Sequence, residues 1–145
     1  MPRTLSLLPL LMIGLLPSLP AHAEQFKHIG DLEVHYSSFP STFLTPDIAN
    51  NYNIQRSRYS AVINITVLDS SQPGKPSVSA VLTGKAKNLI GHTKTLSFRE
   101  IHEGKAIYYI AEIKHANEEQ FNFLIDVSHN GTQGNLDFKQ TFFVD

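Results

Sequence analysis

Short runs in which apolar and polar residues alternate, each closed by a polar turn, recur along the chain from residue 31 to residue 144. Alternation of period two puts every second side chain on one face, so each run reads as a strand with one buried face. In "AIYYIAEIKH" (106 to 115) Ile107, Tyr109, Ala111 and Ile113 share a face, and in "QFNFLIDVS" (120 to 128) Phe121, Phe123, Ile125 and Val127 do. "DLEVHYSSF" (31 to 39) alternates Leu32, Val34 and Tyr36 against Glu33, His35 and Ser37. "RYSAVINITVLD" (58 to 69) sets Tyr59, Ala61, Ile63, Ile65 and Val67 on one side and a half-polar set on the other. "VSAVLTGKAK" (78 to 87), "TKTLSFREI" (93 to 101) and "NLDFKQTFFV" (135 to 144) bring the set to about seven strands.

The separators are turn chemistry. In "SSQPGKPS" (70 to 77) Pro73 presets the second position of a turn and Gly74 takes the positive φ of the third, as a type II turn requires. "HEGK", "ANEE" and "HNGTQG" have the length and polarity of hairpin and sheet-to-sheet connections. Gly84 is expected to mark a bulge, and "NLIGH" (88 to 92) to be a crossing segment tucked inside. The reading is an all-β chain folded as an antiparallel β-sandwich of immunoglobulin-like architecture, with a small barrel of roughly eight strands as the alternative. Neither a paired cysteine nor a core tryptophan is available, so the likeness is one of architecture.

The one interruption is "LTPDIANNYNI" (44 to 54), a short capped helix between the first two strands. Thr45 supplies a capping hydroxyl, Pro46 suits the first helical position and Asp47 faces the positive end. Ile48 and Tyr52 fall four apart on one face, and Asn51 or Asn53 can take the left-handed geometry that stops a helix. The segment is long enough to pass from one sheet to the other and is expected to cover an end of the sandwich.

Residues 1–23 stand apart. A basic start at Arg3, an apolar run broken at Pro9, Pro17 and Pro20, and "AHA" before Glu24 form the pattern of a cleaved export signal, not of a transmembrane anchor. Removing 23 of 145 residues leaves 122, a single domain over 24–145 able to bury roughly two thirds of its unfolded surface. No later stretch is apolar enough to span a bilayer, so a soluble mature product is expected. The chain has no cysteine, which removes disulfides, thiolate metal sites, thiol catalysis and a lipid-modified cysteine anchor together. Without Arg3, 11 basic and 13 acidic side chains give a formal charge of −2 and no dominant basic patch, which speaks against nucleic acid.

Chemistry-bearing patterns are sparse. Serines and histidines are plentiful, but there is no Gly-x-Ser-x-Gly elbow, and the glycine-containing strings lack the ending of a phosphate loop. The carboxylates show no spacing that favours glycoside hydrolysis. His102, His115 and His129 lie at strand ends, where a meander can bring them together on a copper or zinc ion. Against this, both methionines, the soft ligands suited to Cu(I), fall in the signal at Met1 and Met12. "QRSRY" (55 to 59) is the densest basic spot. Arg56 and Arg58, beside Tyr52 and Tyr59, form the candidate binding cluster for a carboxylate or phosphate, with rings on which guanidinium stacks.

Three stretches carry a resemblance: "HYSSFPSTFLTPDIANNYNIQRSRYSAVINITV", "GKAKNLIGHTKTLSFREIHEGKAIYYIAEI" and "FKQTFFVD". Their most specific pieces are His35-Tyr36, Phe43-Leu44-x-Pro46, Arg56-Ser57, Asn64-Ile65, Asn88-Leu89, Phe98-Arg99, Tyr108-Tyr109-Ile110 and Gln140-Thr141-Phe142. The chain resembles, over essentially its whole mature length, a family of small exported proteins of Gram-negative bacteria catalogued as a domain of unknown function. The resemblance implies a periplasmic β-sandwich and carries no activity, substrate or cofactor with it.

The expected role is therefore a non-enzymatic accessory module of the periplasm that needs no cofactor. It engages another periplasmic or envelope protein through a sheet edge or the loop around 40 to 58, with the first strand (31 to 39) and the last as the expected edges. The alternative is a binder of a small ligand or metal ion, using Tyr52, Arg56 and Arg58 or the histidine-bearing turns.

Overall fold

The computed structural model describes residues 25–145. The export signal read over residues 1–23 lies outside the described residues. Among the described residues, nine strands form two antiparallel sheets: β1 (Gln25–Ile29), β2 (Leu32–Pro40), β3 (Ser60–Asp69), β4 (Val81–Asn88), β5 (Thr93–Leu96), β6 (Arg99–Glu103), β7 (Ala106–Lys114), β8 (Glu119–His129) and β9 (Thr132–Phe142). One sheet has the order β1-β2-β3-β7-β6 and the other β5-β4-β8-β9. The chain is an antiparallel β-sandwich, as the alternation implies.

Two strands beyond the expected set account for the difference in number. β1 escapes the alternation because four of its five residues are exposed. "TKTLSFREI" divides at Ser97-Phe98, giving β5 to one sheet and β6 to the other. The presence of β1 corrects the expected edges. β2 pairs with β1 on one side and with β3 along its whole length on the other, so it is an interior strand despite Pro40. β9 is an edge, as expected.

The two inner faces meet through the residues that the period-two pattern selected. Ala61, Ile63, Ile65 and Val67 of β3 and Phe121, Phe123, Ile125 and Val127 of β8 are all essentially inaccessible to solvent. Rings from three strands stack across the gap: Tyr36 on Phe138 at 4.6 Å and Phe138 on Phe123 at 5.0 Å between centroids. Offset stacks of this spacing add to area burial.

Two glycines are notches for this packing. Gly84 is not a bulge, since β4 pairs with β8 in unbroken register from Val81 to Asn88. A Cβ there would lie 3.1 Å from Ile125 and Leu96 and 3.2 Å from Phe98, so the glycine lets β4 approach the core closely. At Gly134 a Cβ would lie 2.6 Å from Ile29 Cγ2, and this is where β1 closes against β9 along one side of the sandwich.

The connections follow local chemistry with one exception. Lys75 N–H donates to Gln72 O at 3.2 Å across Pro73-Gly74, with Gly74 at φ +79°, the turn expected there. "NLIGH" is not tucked inside. It is the tip of the β4–β5 hairpin, with Leu89 79% and Ile90 76% exposed, held by Asn88 N–H to His92 O at 2.9 Å and His92 N–H to Asn88 Oδ1 at 2.8 Å.

Gly134→Ala should cost about 1–3 kcal/mol in urea unfolding, because overpacking forces Ile29 and β1 outward. Ile29→Ala, itself destabilising, should make the glycine exchange nearly silent in the double variant. Leu89→Ser, at an exposed tip, should change stability by no more than about 0.5 kcal/mol.

Candidate functional site

The connection between β2 and β3 is the largest departure from strand and turn. It begins with a short 3-10 turn (Ser41–Phe43) and continues into α1 (Pro46–Asn51). The helix forms where its caps allow: Thr45 Oγ1 accepts from Ile48 N–H at 3.3 Å, Pro46 holds the first position, and Asn53, at φ +59°, turns the chain away. Because β1 precedes β2, this helix follows the second strand, and because β2 and β3 are neighbours it does not cross between sheets.

Nor does the helix cover an end of the sandwich. Ala49 and Ile54 pack on Val62 and Ile110, with Phe39, Tyr52, Ile101 and Tyr108 around them, forming a second apolar cluster on the outer face of the five-stranded sheet. Ala49, not Ile48, is the buried helical position, and Ile48 is 43% exposed. Tyr108 thus serves the outer cluster while Tyr109 lies in the core.

A serine knot closes the neck of this insert. Ser41 is fully buried; its hydroxyl donates to Ser57 O at 2.9 Å, accepts from Ser57 N–H at 2.8 Å, and meets Ser60 Oγ at 2.7 Å. Residues sixteen apart in sequence are thereby fixed together by hydrogen bonds. Nothing in the period of the sequence marks Ser41; only its buried position does.

The candidate cluster Tyr52, Arg56 and Arg58 meets different partners. Tyr52 hydroxyl donates to the Glu103 carboxylate of β6, and that hydrogen bond, with burial and the carboxylate charge, raises its phenol from 10.0 to about 12. Arg56 donates from Nη2 to Thr42 O at 3.1 Å. Arg58 is exposed at the turn before β3. Arg99 of β6 also reaches this region, donating to Tyr52 O at 3.1 Å and pairing with Glu112 at 3.4 Å.

An open cleft of about 1120 Å³ lies beside these residues, where the β3–β7 pair ends at Ser60 and Lys114. Its lining joins the insert (Asn50, Asn53, Gln55) to the β7–β8 turn (His115, Asn117) and the start of β8 (Glu119). Tyr52, Arg56 and Arg58 are not among the lining residues. His115 N–H donates to Tyr59 O at 2.9 Å, extending the ladder one step past the strand ends. The imidazole is buried, stacked on Phe142 at 5.1 Å, with Nδ1 at 2.8 Å from Ala116 O. A carbonyl accepts only, so Nδ1 carries a proton and donates to it. Burial alone raises the Glu119 carboxyl. Hydrogen bonds from Asn88 Nδ2 (2.9 Å) and Ala116 N–H (2.8 Å), with the charges of Lys94 and His115, outweigh it and hold Glu119 below the ordinary range.

The histidine-bearing ends do not converge. His115 is at the insert end of the sandwich, whereas His102 pairs with Ile107 beside the β6–β7 turn and His129 closes β8 at the opposite end. His102 Nε2 lies 2.9 Å from Glu100, and His129 Nδ1 donates to Ser79 O at 2.6 Å. Among the described residues no group of three His, Asp or Glu side chains is arranged to hold a metal ion. A separate polar relay ties the sheets: Tyr109 hydroxyl donates to Glu100 at 2.5 Å and accepts from Ala80 N–H at 2.8 Å. Burial raises the Tyr109 phenol, and the bond to Glu100 adds to it.

The raised Tyr52 phenol has a pH consequence. Its contribution to stability is complete below pH 10, the ordinary phenol value, and is lost as pH rises through about 12. Absorbance titration of the folded protein should show a tyrosine ionising near pH 12 that Tyr52→Phe removes, and Glu103→Gln should move that step toward lower pH.

The comparisons agree with this architecture. A crystal structure of a DUF4426 family protein from Pseudomonas aeruginosa PAO1 superposes with a TM-score of 0.74 at 35% identity, covering 87% of this chain and 99% of that one. Two structures of FetP from uropathogenic Escherichia coli strain F11 share the fold alone. A copper-bound variant gives a TM-score of 0.57 at 8% identity over 83% of this chain and 95% of that one. The "as isolated" protein gives 0.53 at 10% over 83% and 92%. No curated protein matches the sequence significantly. The model of the domain of unknown function DUF4426 matches residues 26–145, and this chain belongs to that family.

Proposed function

We propose that this chain is an exported, non-enzymatic accessory protein of the periplasm that takes an extended segment of another envelope protein onto the edge of β9. The observation that carries the reading is β9 itself: eleven residues without proline, paired on one side to β8 and, among the described residues, paired with no strand on the other. Such an edge offers a row of backbone donors and acceptors to an incoming strand. Lys27 Nζ donates to Asn135 O at 2.8 Å where β1 approaches, which leaves the stretch after Asn135 as the accessible part, ending beside the exposed Phe143. The other described edges are shorter, five residues each in β1 and β6 and four in β5. Export rests on the signal pattern of residues 1–23.

A second reading, binding of a small ligand, is favoured by the cleft, which brings Gln55 and Ser57 of the insert to the histidine-bearing turn at His115. FetP's copper does not transfer with the fold, since the likeness is at 8–10% identity.

A photo-crosslinking residue at Lys139 or Gln140 should give discrete higher-mass adducts in intact cells, and one at Leu124, in the middle of the same sheet, should not. Silence from both edge positions sinks the docking reading. N-terminal sequencing of protein from a periplasmic extract should begin at Glu24; recovery only with the first 23 residues attached, in the cytoplasm, removes the export reading.

A further inference from the structure

The polar groups around the cleft divide into engaged and free. Lys94 Nζ donates to Lys114 O at 2.5 Å and lies 5.6 Å from the centre of the Phe121 ring. Glu112 accepts from Gln55 N–H at 3.3 Å and pairs with Arg99, while Glu119 accepts from Asn88 and Ala116. Asn117 Oδ1 accepts from Val144 N–H at 2.8 Å. The carboxamides of Asn50, Asn53 and Gln55 and the hydroxyl of Tyr59 make no side-chain hydrogen bond among the described residues. Tyr59 is 56% exposed.

This inventory selects a ligand chemistry. The two lysines and two glutamates of the lining sum to zero formal charge, so neither sign dominates among them. Unengaged among the lining groups are three carboxamides, each a donor and an acceptor side by side, with the exposed Tyr59 on the same lining. Adjacent hydroxyls on a sugar ring are donors and acceptors at the same spacing, and the C–H face of a pyranose is an apolar surface that rests on a phenol ring. At about 1120 Å³ and open to solvent, the cleft exceeds the roughly 300–1,000 Å³ of small-molecule pockets and suits a chain of several rings.

We propose that the cleft between the β2–β3 insert and the β7–β8 turn binds an uncharged oligosaccharide, held by the carboxamides of Asn50, Asn53 and Gln55 and stacked on Tyr59. This rests on the ligand-binding reading above and names its ligand class.

The test is titration of the ¹⁵N-labelled protein with two neutral trisaccharides, chitotriose and maltotriose, and separately with two anions, inorganic phosphate and trigalacturonate. Saturable shifts of the side-chain NH₂ signals of Asn50, Asn53 and Gln55 with a neutral trisaccharide, and none with the anions, are expected. Tyr59→Ala should weaken that binding about tenfold, and Leu124→Ser, on the outer face of the other sheet, should leave it unchanged. Saturable shifts with an anion alone overturn the saccharide assignment and leave the cleft as a ligand site. No saturable shift with any of the four overturns both, and full affinity in a folded Tyr59→Ala overturns the stacking role.

Discussion

The rest of the structure depends on the apolar interlock between β3 and β8. With no cysteine in the chain, burial of Ile63 and Ile65 against Phe121, Phe123 and Ile125 is what holds the sheets together. The Tyr36–Phe138–Phe123 stack extends that contact toward the β9 edge, and Gly84 and Gly134 remove side-chain volume where backbone and core approach most closely. Register follows from the same constraint, since a slip of one residue would turn every core side chain of a strand toward water.

A sheet that buries one face leaves the other to be solvated or covered, and the five-stranded sheet does both. Near its insert end Val62 and Ile110 are apolar on the outer side, and α1 covers them with Ala49 and Ile54. Further along, the same outer face is polar: Glu33 is buried, paired to Lys75 at 3.0 Å and to His35 at 2.8 Å, and these partners hold its carboxyl below the ordinary range. The insert closes on itself through Ser41, Ser57 and Ser60, so α1 lies on the outer face of β3 and β7 and leaves open the space beside the β7–β8 turn. Fold and site are therefore coupled through a buried hydroxyl, not through the apolar core.

Much of the sandwich was legible in the sequence because strand periodicity and turn chemistry are local. The inward residues of β3, β7 and β8, the Pro73-Gly74 turn, and the Thr45, Pro46 and Asn53 signals of the helix all stand in the structure as the residue pattern implies. β1 is not legible because an edge strand with one buried residue shows no alternation, and without β1 the strand β2 has a partner on one side only. "NLIGH" misled for a related reason. Apolar residues are inside only on average, and Leu89-Ile90 occupies the tip of a tight hairpin where no core can reach it.

The sequence by itself determined a two-faced β architecture, a capped helix and an export signal pattern, because each is written within a window of a few residues. The tertiary structure alone decided which strands are edges, that the insert returns to its own sheet, and that Gln55 and Glu112, 57 positions apart, share one cleft with His115. Arg56 and Arg58 stood out in the sequence by charge density, which a linear scan can count. Asn50, Asn53, Gln55 and Tyr59 stand out in the structure because their polar groups are left free at a concave surface, and whether a group is free depends on what the distant chain brings beside it.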